Sequence, residues 1–308
     1  MINRLIVCGA WVAMGLLSNM TPARADVMNL DLTNVDPVFH AQFRAAEKFW
    51  ENRLIGFSGA LPGVVKSQLQ KVRIVCNVEM IDGLGGILGQ AGVTRTISYT
   101  RTSYNPLRGS QTIVIAQESV LTLDQDDVAA MMGDGSLQWV LRHEIGHALG
   151  FGSLWVQNGL LNEGGDYIGS HALSRYRQEA NKQFATFVPV QKFGGPGTAG
   201  SHWDFNDPFF NQLNTTGRLE FMGPFSVPGA IEFASESTFG AMADLWFAVR
   251  GINQGNVAVI GPRGWPKWIN NGTGNGGPIF MRAIPEPSSA GLLFLVGAAI
   301  AIRRRKGK

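Results

Sequence analysis

The sequence predicts an α+β protein: a mixed, twisted sheet packed on helices, followed by an irregular C-terminal subdomain. Three observations carry this. Apolar residues recur at helical spacing over 36–52 and 136–149. Short runs rich in β-branched residues stand between them, at 71–80, 94–99 and 111–116. Glycine, asparagine and aromatics then dominate 150–225, with weak periodicity.

The elements follow in order. Asp36 to Asn52 places Phe39, Phe43, Ala46, Phe49 and Trp50 on one helical face. Residues 71–80 form a strand containing Cys76. Gly83 to Gly92 is glycine-rich, but no Lys-Ser/Thr or dinucleotide fingerprint accompanies it, so it is read as a structural turn. Strands follow at Thr94–Tyr99 and Gln111–Ala116, then a short helix at Asp126–Met132. Ser136 to Leu149 is the strongest helix, with Ser136 as its cap, an apolar stripe of Leu137, Val140, Leu141 and Ile145, and Gly150 as its end. A last helix is expected over Ser237–Val249, and the glycine-rich stretch 251–284 reads as an extension or linker.

Composition bounds the function. The chain has 308 residues, 45% hydrophobic and 16% charged, too apolar for disorder. Its net charge of +3 is misleading. The two ends hold seven of the 26 basic residues and one of the 23 acids, so residues 26–284 carry 19 basic and 22 acidic side chains, a net of −3. That balance gives no support to nucleic-acid binding. Of two cysteines, Cys8 lies near the N-terminus and Cys76 is the only one beyond it, which excludes an intramolecular disulfide in the processed chain. Cys76 is read as a small buried hydrophobe.

Both ends read as addresses. Arg4, the apolar run Leu5–Leu17 and Ala23-Arg24-Ala25 form a secretory signal peptide over 1–25, cut by signal peptidase before Asp26. At the other end stand Pro285-Glu286-Pro287, an apolar run Ala290–Ile302 and a basic cluster Arg303–Lys308. Thirteen helical residues span about 20 Å, short of a hydrocarbon core of about 30 Å. Snorkelling or thinning would allow transient membrane insertion of this helix, with the basic tail cytoplasmic. Residues 285–308 resemble the PEP-CTERM sorting signal of Gram-negative bacteria. The resemblance implies passage through the inner membrane, processing by an exosortase, and delivery to the cell surface or extracellular matrix. A plain C-terminal membrane anchor is the alternative.

The chemistry lies in His143-Glu144-Ile145-Gly146-His147. Positions i and i+4 share a helix face, so both imidazoles reach one metal, and Glu144 beside them is placed to take a proton from a metal-bound water. A catalytic zinc needs three protein ligands and an open position. The short third-histidine position is occupied by Ser153, which leaves His40, His171 and His202. His40 belongs to the first helix and reads as structural; His171 is placed just before a helix that includes Tyr176.

His143 to Phe151 (HEIGHALGF), a long insertion, Gly200-Ser201-His202-Trp203, and then Glu220-Phe221-Met222-Gly223-Pro224 resemble the leishmanolysin family of metzincins. The likeness extends over about Asp36 to Val249, with Ala241, Asp244 and Trp246 matching a family helix. It implies a zincin fold, one catalytic Zn2+ held by His143, His147 and His202, Glu144 as the base, and Met222 in a turn beneath the metal. His171, and after it Asp204, stand in reserve as third ligand. The 20 residues from His202 to Met222 exceed the family's spacing and imply an extra loop; Phe221 replaces the usual leucine, and Asp204 is a further mild departure. The implied activity is hydrolysis of protein or peptide substrates lying as an extended strand along the sheet edge. The alternative is a non-catalytic surface or matrix binding protein on the same scaffold.

Overall fold

A computed structural model describes residues 27–102, 110–227 and 229–252, together with two short strands at 258–261 and 265–268. The chain starts with β1 (Met28–Asn34), α1 (His40–Glu51), β2 (Leu54–Phe57), α2 (Gly63–Lys66) and β3 (Val72–Glu79). A long hairpin, β4 (Gly89–Thr102) and β5 (Ser110–Asp124), leads into α3 (Gln125–Asp134) and α4 (Leu137–Ala148). The rest holds α5 (Ser170–Glu179), β6 (Asn211–Gln212), α6 (Leu213–Thr216), β7 (Arg218–Glu220), β8 (Ile231–Phe233), α7 (Glu236–Asp244) and β9 (Phe247–Val249). The two further strands are β10 (Ala258–Gly261) and β11 (Trp265–Trp268).

The main sheet has the order β1-β3-β5-β4. β1, β3 and β5 run parallel, and β4 pairs antiparallel at the edge. Period-two alternation buries one face: Val72, Ile74 and Cys76 on β3 are all fully buried. Helices α1 and α4 cover that face. Phe43, Ala46 and Trp50 point inward from α1, and the Trp50 indole donates to the Arg142 carbonyl at 2.8 Å, which ties α1 to the middle of α4. Each large apolar side chain so buried contributes about 1.5–3 kcal/mol. A smaller core of Leu61, Val65, Ile97, Ile113, Ile115 and Trp246 fastens the outer half of the hairpin.

The C-terminal part packs α5 directly on α7. A β-carbon at Gly240 would lie 2.6 Å from Ala172 Cα, so only glycine allows this approach. Asp244, near the end of α7, accepts the backbone N–H groups of His171 and Ala172 and the Tyr167 hydroxyl, satisfying donors at the start of α5. Antiparallel pairing of β2 with β9 joins this part back to the first half.

Sheets packed on helices agree with the α+β expectation, but several elements differ. β1 was not foreseen; its alternating burial is plain only once β3 lies beside it. The hairpin strands extend well beyond 94–99 and 111–116, because paired polar residues sustain the ladder as well as apolar ones. The glycine-rich turn ends at Leu88, and Gly89 to Gly92 belong to β4. Ser136 makes no side-chain capping bond. The helix expected over 237–249 ends at Asp244; Trp246 adopts φ +73°, and the chain then enters β9. His171 lies within α5, not before it. The 251–284 stretch contains the antiparallel pair β10–β11. The expected signal peptide over 1–25, the apolar run Ala290–Ile302 and the basic tail lie outside the described residues. Among the described residues no helix is long and apolar enough to cross a membrane.

Candidate metal centre

The centre is built on the last two turns of α4. Leu141, Ile145 and Ala148 face the core, which turns His143, Glu144 and His147 to the other side of a helix that is buried around most of its girth. His202 arrives on the loop after α5. Trp203, fully buried, anchors that loop: its N–H donates to the Met222 carbonyl at 3.2 Å and its indole donates to Thr238 Oγ1 at 2.8 Å. Its ring stacks on Phe210 with centroids 5.3 Å apart and rings 4° from parallel. Gly152 passes so close to this loop that a β-carbon would sit 2.4 Å from the Ser201 carbonyl oxygen.

The three imidazoles converge. His143 Nε2 lies 3.1 Å from His202 Nε2, and His147 Nε2 lies 3.0 Å from each of the other two. Each Nδ1 is engaged elsewhere: His143 with the Phe221 carbonyl at 2.6 Å, His147 with the Phe151 carbonyl at 2.9 Å, His202 with the Thr198 carbonyl at 2.9 Å. A carbonyl can only accept, so each Nδ1 carries the proton and each Nε2 presents a lone pair. Burial pushes His143 down to about 3, with His147 adding to it, pushes His147 down to about 4, and holds His202 well below the usual range. The rings are therefore neutral. Three lone pairs facing one another at 3.0–3.1 Å repel unless a cation lies among them. This donor set fits a divalent metal with a preference for imidazole nitrogen, and these are the only three histidine, cysteine or acidic side chains so grouped among the described residues.

Glu144 is buried beside them, and burial pushes its carboxyl up to about 8. A nearby cation acts in the opposite direction. Gly89 at the start of β4 faces it: a β-carbon there would lie 3.1 Å from Glu144 Cγ and 3.1 Å from Leu123 Cδ2. Beneath the helix, Met222 packs on Gly146, between the two α4 histidines in sequence.

The structure thus brings together His143, Glu144, His147, His202 and Met222, and leaves the reserve ligands outside. His171 is buried on α5, where Asp244 holds its backbone. His40 contacts the Val35 carbonyl through Nε2 at 2.9 Å. Asp204 accepts the Asn206 N–H in a local turn. Trp139 and Gly89 escaped the sequence reading, and Glu220 entered it only as a flank of the methionine turn. Trp139, one turn before His143, stacks on its ring at 5.5 Å; the i−4 spacing was the available signal. Gly89 was hidden in a glycine-rich run. Glu220, fully buried, accepts from Met222 N–H, Ser235 N–H, Ser235 Oγ and Thr238 Oγ1, and so joins the methionine turn to the start of α7.

Compared with known families, residues 283–306 match the PEP-CTERM protein-sorting motif. The motif indicates export and sorting to the cell surface, and it implies processing by an exosortase. The sequence matches no curated protein.

Proposed function

We propose that the chain is a surface-delivered zinc endopeptidase of the metzincin type. The observation that carries this reading is the convergence of three neutral Nε2 atoms, each fixed by a backbone carbonyl on Nδ1, with the Glu144 carboxyl beside them. His143, His147 and His202 would hold the ion. When bound, zinc supplies a Lewis acid that makes water more acidic and polarises a carbonyl.

This chain's residues do the rest. The outer edge of β4 pairs with no strand among the described residues, and its first residue lies against Glu144. An extended peptide pairs with that edge through its backbone, which presents the scissile bond to Glu144. Glu144 takes a proton as water oxygen adds to the carbonyl carbon, then delivers it to the amide nitrogen as the C–N bond breaks. The products are a carboxylic acid and an amine.

The test is the metal content of the processed protein together with hydrolysis of unfolded protein substrates, with and without a chelator. Stoichiometric zinc and chelator-sensitive cleavage support the reading. Bound zinc with no cleavage of any substrate favours a binding protein on the same scaffold.

A further inference from the structure

A cavity of about 170 Å3 lies one helical turn before His143. Asp134, Ser136 and Trp139 line it from the α3–α4 corner, and Leu219 and Glu232 from β7 and β8. Trp139 forms the wall toward the histidines, since its ring stacks on His143. Among the described residues no lysine, arginine or histidine lines the cavity, whereas two carboxylates do. Glu232 is paired from one side with Arg142, at 3.1 Å, and the Arg142 guanidinium lies 4.7 Å over the Phe49 ring. Asp134 accepts the Ser136 N–H at 2.8 Å through one oxygen and is exposed. Arg142 thus meets the Glu232 charge, and among the described residues no basic side chain pairs with Asp134.

We infer that this cavity receives a lysine or arginine side chain of the substrate, next to the scissile bond. The inference rests on the endopeptidase reading. A long side chain suits the site, because the cavity touches Trp139 and not His143, and Trp139 in turn stacks on the His143 ring. A basic residue lays its methylene stem along Trp139 and Leu219 and carries its cation to Asp134 and Glu232. Trp139 adds the attraction of an aromatic face for a cation. An acidic side chain is repelled, and an apolar one strips water from two carboxylates and returns nothing.

The experiment uses the processed, zinc-loaded protein and a matched peptide series. The residue on each side of the cleaved bond is varied in turn among arginine, lysine, leucine and glutamate. Wild type is expected to favour the basic peptides by about tenfold or more in kcat/KM, the scale of a hydrogen-bonded charge pair. Asp134→Asn leaves the Arg142–Glu232 pair in place and should shrink that ratio, chiefly through KM. Equal or better cleavage of the leucine peptides by wild type, or an unchanged ratio in Asp134→Asn, overturns the inference. If wild type cleaves none of the series, the endopeptidase reading fails on its own, and equilibrium binding decides the cavity. Fluorescence anisotropy of the arginine and leucine peptides then serves as readout: tighter arginine binding that Asp134→Asn weakens supports the site, and equal binding excludes it.

Discussion

Gly146 and Met222 meet so closely that no side chain fits between them: a β-carbon at 146 would lie 2.8 Å from Met222 Sδ and 2.9 Å from its Cε, with Trp50 Cζ2 at 3.0 Å on its other flank. The helix that carries two of the histidines therefore rests on a methionine from a separate turn. That turn also supplies the Phe221 carbonyl that receives His143 Nδ1–H, and the Met222 carbonyl that receives the Trp203 N–H. One turn thus fixes His143 directly and His202 through its neighbour.

Gly146→Ala tests that contact. Alanine gains up to about 1 kcal/mol of helix propensity over glycine. Overpacking a filled core costs about 1–3 kcal/mol. A net loss of stability by denaturant unfolding is expected, together with weaker zinc binding, because the buried Met222 side chain must re-pack or α4 must shift to admit the β-carbon. A more stable protein with unchanged zinc affinity would show that the contact relaxes without consequence.

Glu144→Gln keeps the size of the side chain and removes the proton acceptor. Zinc should remain bound at full stoichiometry while peptide hydrolysis falls by about 10²-fold or more, the scale of a general base. Turnover like wild type, in material free of contaminating protease, excludes Glu144 as the base.

The third ligand separates by substitution. His202→Ala should abolish zinc retention, since two histidines fall short of a three-ligand site. His171→Ala and His40→Ala should retain the metal, because neither ring joins the group of three. Metal analysis after dialysis reads the result, and loss of zinc from His171→Ala alone would falsify the assignment.

The sorting motif at 283–306 predicts a shortened C-terminus. Protein recovered from the surface of a host with an exosortase should lack the run Ala290–Ile302 and the basic cluster after it. Intact-mass measurement decides this, and a chain still ending at Lys308 would point to a plain anchor.

Local signals made part of this structure legible and left the rest dark. The α4 helix and its two histidines could be read because a 3.6-residue period and an i, i+4 pair lie within a dozen residues. His202 is 55 residues beyond His147, and no periodicity links them; only the order HEIGH, then SHW, then the methionine turn pointed to it. Edge strand β4 was half missed, since its burial pattern is set by pairing with β5 rather than by its own alternation. Gly89 and Gly146 looked like ordinary glycines, and their meaning is a distance to another part of the chain. Glu220 was named only as a flank of the turn, because its four donors come from segments up to 18 residues away.

Glu220 also sets a pH dependence of stability. Burial raises its carboxyl from 4.5 to about 7, against the lowering effect of Thr238, Ser235 and Met222 donors. Between those two values the folded state holds a proton that the unfolded state has released, so unfolding free energy falls as pH rises. The stabilisation is full below pH 4.5 and lost by about pH 7. Glu220→Gln does not titrate, and the buried histidines contribute equally to both proteins, so subtracting one unfolding curve from the other isolates this carboxyl. At about 1.4 kcal/mol per pH unit, wild type should lose about 3 kcal/mol relative to Glu220→Gln across that window, measured by urea unfolding of the metal-free proteins. A difference that instead grows with pH would mean that the four donors outweigh burial and hold Glu220 ionised. In that case the methionine turn is tied down by a buried charge, and acid rather than alkali would loosen it.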